Sequence, residues 1–493
     1  MKKTTLIWAL ALSTTLPSFG QDTLSKAGVR AAATVFDLKF TDKELDTMYA
    51  GVKENMVVLQ QMHRQNLNNG VPMSLWQSPV LPGLRIEKEQ EKIKWNLPKN
   101  FSLPANKNDL AYCSLLELAA LIKSKKISSV ELTRFFIARI KQYGDSLQCV
   151  ISLTEEMAMQ AATAADAELA AGNYKGLLHG IPYGLKDLFA VKGTKTTWGA
   201  APYQNQEIVE DAYVYTQLKA AGAVLVGKFT LGALAMGDYW FGGRTRNPWN
   251  TQTGSSGSSA GSAAATVAGL VPFAIGTETW GSIISPASTC GATGLRPSFG
   301  RISRSGAMAL SWSLDKVGPI CRSATDAAIV FQYLHGTDGL DPSAVNLPFN
   351  FKPQADAKTL RIGYAKNYFD QIRDTSRLEL KVLQVFRDMG IELIPVVFPE
   401  TAYPFNIMDI VISAESAAAF DGFTRYNIDD EMSRQGPFDW PNSFRVSRLI
   451  PAVEYVNANR HRYLLQQKVN EVMQTVDVLI CPTRGSGNQS AIT

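Results

Sequence analysis

Apolar positions in the first part of the chain recur at helical spacing behind polar start signals. Thr41 and Glu44 have the spacing of a capping box, and Phe40 and Leu45 flank it as a hydrophobic staple, which predicts a helix running to about Asn66. Ser114 with Glu117 predicts a second helix, with Leu118, Ala119 and Ile122 on one face. Ser128 with Glu131 predicts a third, leading into Leu132, Phe135, Phe136 and Ile140. Thr154 to Ala171 is Ala-rich and reads as helix, whereas residues 67–108 are rich in Pro and Asn and read as a long surface connection.

The pattern changes from residue 177. Short apolar runs with strand character appear at Ala223–Phe229, Leu360–Tyr364, Ile391–Phe398 and Asp477–Ile480, with helical stretches at Tyr213–Ala221 and between the second and third runs. Alternating helices and short strands predict an α/β layered fold. Residues 337–358, rich in Asp, Pro and Asn, read as a linker or a surface insertion that does not divide the chain.

Composition narrows the function classes. The chain has 493 residues, of which 45% are hydrophobic and 19% charged, so it carries ample core material and is not a disordered polyampholyte. A net charge of +5 over this length is too weak for a nucleic-acid binder, and no apolar run reaches the length of a membrane span. Five cysteines, far apart and without a CxxC pair, argue against a disulfide framework or a zinc site. Four histidines without ligand spacing argue against a histidine-held metal, so neither metal nor cofactor is expected.

The first twenty residues read as an address. Lys2 and Lys3 precede an apolar run from Leu6 to Leu16, Pro17 breaks it, and Ser18-Phe19-Gly20 offers small residues at the cleavage positions. Cleavage before Gln21 is expected, which places the mature protein in the periplasm or outside the cell.

The most unusual segment is Thr253-Gly-Ser-Ser-Gly-Ser-Ser-Ala-Gly-Ser-Ala-Ala-Ala265. A flexible linker fits poorly, because the tract runs straight into Ala263–Val267 and an apolar Leu270–Ile275. A phosphate-cradling loop lacks its lysine, since Ser262 follows Gly261. A nucleophile site needs a base and an oxyanion hole beside it. Lys186 lies among Ile181, Leu185, Leu188 and Phe189, an apolar context in which burial lowers the ammonium pKa and leaves a neutral amine as a base. Downstream, Gly276-Thr-Glu-Thr-Trp-Gly-Ser282 supplies a hydroxyl in a small-residue loop, whose N–H groups suit a tetrahedral oxyanion.

Together these segments resemble the amidase signature family of serine hydrolases, from about residue 110 to 335 and more loosely to 483. The matching stretches are Gly180–Asp187, Ser256–Ala263, Gly276–Pro286, Gly294–Arg301 and Leu310–Pro319, in the family's order. The resemblance implies a single α/β domain with a central mixed sheet covered by helices on both faces, and a triad of Lys186, Ser258 and Ser282. It implies Ser282 as the nucleophile, Ser258 as the proton relay after a cis Gly257–Ser258 bond, and Lys186 as the base. It also implies an oxyanion hole from the N–H groups of Thr279, Trp280, Gly281 and Ser282, with Ser259 and Asp187 in support. The partner would be a small-molecule or peptide amide; nothing in the sequence defines an oligomeric state. The domain reading is a signal peptide at 1–20, an N-terminal helical extension and connection at 21–108, and an amidase domain at 109–493.

Three positions depart from many family members: Glu278 stands for Asp, Trp280 for Gly and Ile284 for Arg. Losing the Arg removes the obvious ion-pair partner of Glu278, and Trp280 would be strained if the position needed positive φ. Alternatives are therefore a catalytically silent secreted binding protein on the same scaffold and, with export against it, a component of a tRNA-dependent amidotransferase. Cys290 is read as core, His179 as a surface or hydrogen-bonded residue, and Asp315 with Lys316 as an exposed pair worth little. Trp312, Met236 and Tyr239 are candidates for either pocket lining or core packing. Ending ten residues after the strand-like Asp477–Thr483, the chain is expected to be truncated at its C-terminus.

Overall fold

The computed structural model describes residues 24–35, 39–63, 69, 78, 80, 86–353, 355–375, 377–399 and 405–483. The signal-peptide reading and the reading of the C-terminal end fall outside these residues. The chain divides into two compact units, Met1–Asn66 and Leu67–Thr493.

The first unit holds helices α1 (Lys26–Val35) and α2 (Asp42–His63). The expected box starts α2: the Thr41 N–H donates to Glu44 Oε2 at 2.7 Å, and the Glu44 N–H donates to Thr41 Oγ1 at 3.3 Å. Residues 64–66, where this helix was expected to continue, lie outside the described set.

In the second unit the other two boxes also form, opening α3 (Leu115–Lys123) and α4 (Ser129–Leu147). The remaining elements run as β1 (Val150–Leu153), α5 (Glu155–Ala170), β2 (Pro182–Lys186), α6 (Tyr213–Ala220) and β3 (Val224–Phe229). Two short ribbons follow, β4 (Tyr239–Trp240) with β5 (Gly243–Arg244), and β6 (Arg246–Asn247) with β7 (Asn250–Gly254). The Ser/Gly tract leaves β7 and enters α7 (Ala260–Val267), which leads to β8 (Ala274–Glu278), α8 (Ile284–Cys290), β9 (Thr293–Gly294), β10 (Lys316–Cys321) and α9 (Ala324–Leu334).

Six strands form the central sheet in the order β1-β3-β2-β8-β10-β9. It is mixed: β3, β2 and β8 run parallel, while β1, β10 and β9 pair antiparallel. Parallel strands covered on both faces read as continuous apolar runs, and every residue of β2, β3 and β8 is buried. Alternation sorts the two faces. Tyr183, Leu185, Leu225 and Ile275 pack with α3, α6 and α9 residues such as Leu118, Leu218 and Ile329. Val224, Val226, Phe229 and Ala274 pack with α4, α5 and α7 residues such as Ile137, Ala158 and Ala264.

One irregularity in this sheet matters for the site. Between β2 and β3 the register jumps from Tyr183↔Leu225 to Gly184↔Gly227, which leaves Val226 as an extra residue. Without it Lys186 would sit opposite Lys228; with it Lys186 faces Phe229, and Lys228 faces Leu185 on the other side of the sheet. Gly184 makes room for this arrangement, since a Cβ there would lie 2.0 Å from the Phe229 ring.

A second, parallel sheet, β12-β11-β13, uses β11 (Ile362–Ala365), β12 (Leu393–Val396) and β13 (Val478–Ile480). Helices α10 (Lys366–Phe369) and α11 (Leu378–Asp388) lie between β11 and β12 in the chain. They are followed by α12 (Met408–Ala419), α13 (Asp421–Arg425), α14 (Trp440–Ser447) and α15 (Ala452–Met473). Residues 337–358 are not a loose linker: Arg304 forks onto Asp341 at 2.8 and 3.0 Å and reaches Ser343 at 2.6 Å, burying both acceptors.

Candidate active site

Lys186 ends β2 and Glu278 ends β8, so two parallel neighbouring strands deliver them to the same edge of the sheet. That edge, beyond the carboxyl ends of parallel strands, is where α/β sheets place ligands. α7 begins on the same face of the sheet, with Ser258 and Ser259 at its entrance. The Gly257–Ser258 bond is cis, as the family resemblance implies. Gly257 has to be glycine, because a Cβ would lie 1.8 Å from the Gly237 carbonyl oxygen.

Lys186 is fully buried and meets only neutral partners. Its Nζ lies 2.8 Å from Ser258 Oγ, 2.9 Å from Thr277 Oγ1, 3.2 Å from Ser259 Oγ and 3.5 Å from the Thr277 carbonyl. Burial without a contacting carboxylate lowers its pKa to about 7, against a weaker upward pull from Asp315 and Glu278. A substantial fraction of the amine is then neutral near pH 7. Ser259 braces this group: its Oγ donates to the Thr277 carbonyl at 3.0 Å and accepts from the Thr277 N–H at 3.2 Å.

Ser282 lies in the turn between β8 and α8, and its carbonyl accepts from the Ser259 N–H at 3.0 Å. Among the described residues no hydrogen bond joins its hydroxyl to that of Ser258. Such contacts commonly tighten only with substrate in place. The N–H groups of Trp280, Gly281 and Ser282 donate to no acceptor among the described residues, which makes the turn a set of unused donors beside a hydroxyl.

Two expectations about this turn are corrected. Trp280 does not adopt positive φ; Gly281 takes it instead, at 98°, so the Trp carries no such strain and its ring is about half exposed. Glu278 has partners after all. Its Oε2 accepts from the Ile283 and Ile284 N–H groups at 2.9 and 3.0 Å, at the start of α8, and Oε1 pairs with Arg296 at 3.6 Å. The carboxylate thus stabilises the helix start, and Arg296 supplies the cation that Ile284 does not.

A further correction concerns Asp315 and Lys316, which are not an exposed pair. Asp315 is buried and accepts from Thr279 Oγ1 at 2.6 Å and from the Leu310 and Ser311 N–H groups at 2.8 and 3.0 Å; burial raises its pKa. Lys316 Nζ donates to the Thr279 carbonyl at 3.2 Å, and burial lowers its pKa to about 8. The two residues hold Thr279 by its side chain and its carbonyl, at the head of the donor turn.

Asp187 lies away from the triad face. It pairs with buried Lys228 at 2.8 Å and accepts from the Thr197 N–H at 2.8 Å and the Thr197 hydroxyl at 2.5 Å. Lys228 also donates to the Lys195 carbonyl and to Thr196 Oγ1, both at 3.1 Å. Sequence reasoning missed Lys228, although it sits in an apolar run as Lys186 does. His179 is buried, with Nε2 2.9 Å from the Ala165 carbonyl oxygen. Cys290 packs with Ala263, Ile283 and Ile320.

Two cavities flank the segment from Thr277 to Gly281. One, of about 470 Å³, is lined by Thr277, Thr279 and Trp312 with apolar Trp198, Met308 and Leu310. It meets the lysine site through Thr277, the hydroxyl that contacts Lys186. The other, of about 450 Å³, is lined by Glu278, Trp280, Gly281, Arg296, Lys316 and Arg462, among others. Both are large enough for a small ligand. Of the three pocket candidates only Trp312 lines either cavity. Met236 is half-buried, and Tyr239 lies beneath the guanidinium groups of Arg434 and Arg244, 4.4 and 5.0 Å from its ring centre.

The chain is similar to proteins of known type. The Amidase family model matches residues 131–488. The glutamyl-tRNA(Gln) amidotransferase A-chain protein of Trichlorobacter lovleyi is 36% identical over 73% of this chain and 80% of its own length. Its counterpart in Geobacter metallireducens is 38% identical over 74% and 81%. Among solved structures, the native peptide amidase of Stenotrophomonas maltophilia superposes with a TM-score of 0.66 at 26% identity, covering 77% of this chain and 85% of its own. A bacterial aryl acylamidase of the amidase signature enzymes also gives 0.66, at 25% identity over 75% and 79%. With these matches, and with its ordered motifs gathered at one sheet edge, the chain belongs to the amidase signature family.

Proposed function

We propose that the chain is an amidase that hydrolyses a carboxylic amide to an acid and ammonia or an amine. The observation that carries this reading is the fully buried Lys186 Nζ, 2.8 Å from Ser258 Oγ and depressed to a pKa of about 7. Ser282 Oγ attacks the amide carbonyl carbon and forms the C–O bond. Its proton passes to Ser258, whose own proton goes to neutral Lys186. The N–H groups of the 280–282 turn receive the oxyanion. As the C–N bond breaks, Lys186 returns the proton through Ser258 to the leaving nitrogen. Water then attacks the acyl-enzyme through the same relay and restores Ser282.

The N-terminal Lys2–Gly20 pattern supports export, and we place the mature enzyme in the periplasm or outside the cell. The silent-scaffold alternative rested on a cramped turn, and the ordinary φ of Trp280 takes away its main support. A second reading is the amidase component of a tRNA-dependent amidotransferase, favoured by the 36–38% identity to proteins of that name. Purified protein tested with a fluorophosphonate probe and an amide panel decides. An acyl-enzyme reading predicts labelling at Ser282 and turnover by the lone chain, with both lost in Ser282→Ala. Activity that appears only with co-purified partner proteins and tRNA would favour the second reading.

A further inference from the structure

The two cavities beside the donor turn differ in charge. Three cations, Lys316, Arg296 and Arg462, line the smaller one against a single carboxylate, Glu278. That carboxylate is engaged with two backbone N–H groups and with Arg296. Lys316 donates to the Thr279 carbonyl, and Arg462 to Ser313 Oγ and the Ser313 carbonyl at 2.8 and 2.6 Å; all three acceptors are neutral. No ion pair joins Lys316 or Arg462 to a carboxylate among the described residues. Burial and the neighbouring charge of Arg296 both press the Lys316 ammonium toward its neutral form. Buried cations without a counter-charge are unfavourable, and a bound anion relieves that cost through charge-assisted hydrogen bonds.

We propose that this cavity is an anion subsite, and that the preferred substrate is an amide carrying a carboxylate that binds Lys316 and Arg296 while the scissile carbonyl lies at the 280–282 turn. The inference rests on the amidase reading and names its substrate class. The cavity adjoins the turn, since Trp280 and Gly281 line it. Ile284 leaves the helix after the nucleophile without a cation, so the positive groups of the site come from the β9–β10 region and α15 instead.

The test measures protection of Ser282 against fluorophosphonate labelling. Succinamate is compared with butyramide, placing the carboxylate on the acyl side, and N-acetylglycine with N-ethylacetamide, placing it on the amine side. One anionic member should protect at a concentration at least tenfold below its neutral partner, and the pair that shows this assigns the side. Lys316→Gln and Arg296→Gln should each reduce that ratio severalfold. Labelling at Ser282 with equal protection within both pairs, with no protection, or with a ratio unchanged in both variants overturns the inference and leaves the amidase reading standing. Absence of Ser282 labelling overturns the amidase reading, and this inference with it.

Discussion

The two faces of the central sheet each bury a lysine one strand apart, in opposite chemistry. Lys228 meets the Asp187 carboxylate at 2.8 Å; Lys186 meets two serine hydroxyls, one threonine hydroxyl and a carbonyl. Burial lowers both pKa values, but at Lys228 the contacting carboxylate opposes the shift, whereas no carboxylate touches Lys186. The first arrangement holds a charge in place; the second leaves an amine free to take a proton. The bulge at Val226 keeps the two apart by putting them on opposite faces. A catalytic lysine is therefore marked by its partners rather than by burial alone.

Substitution separates the two faces most sharply. Lys186→Met should lower kcat/KM by about 10²–10⁴-fold, the usual worth of a general base, with the far-UV spectrum and melting cooperativity retained. Lys228→Met should act on stability instead. It strands the Asp187 carboxylate in the core at a cost of about 3–5 kcal/mol, read from denaturant midpoints. Asp187→Asn added to Lys228→Met should recover much of that loss, while no second substitution should restore activity to Lys186→Met. A smaller effect tests the hydroxyl cage: Thr277→Val removes one neutral partner of the Lys186 amine and should cost about 0.5–1.5 kcal/mol of stability, measured by thermal melting. If Lys228→Met abolished activity in well-folded protein and Lys186→Met left it intact, the contrast would be reversed.

How much of this was legible follows the distance over which each feature is built. The boxes at Thr41/Glu44, Ser114/Glu117 and Ser128/Glu131 span three residues, so the sequence announces them and the helices start where expected. Lys186, Ser258 and Ser282 were found because ordered motifs carry them, and Lys186 meets Ser258 as that pattern implies. What escaped depends on sheet pairing and on contacts far apart in the chain. Lys228 resembles an ordinary strand lysine until the bulge sets its face. The Thr279–Asp315 bond spans 36 residues, and no local pattern shows that Asp315 turns inward. Arg296 replaces the expected cation from a different segment, and the charge of the smaller cavity is assembled from three separated stretches of chain.

The central claim is that Lys186 works as a neutral base, and the pH dependence of the Ser282 labelling rate tests it most directly. A base is competent when deprotonated, so the rate should rise with pH through an inflection near 7 and level off above it. Lys186→Arg, always charged, should label slowly with no inflection in that range. A wild-type rate that stays flat from pH 5 to 9, or that first rises near the ordinary lysine value of 10.5, would contradict the account.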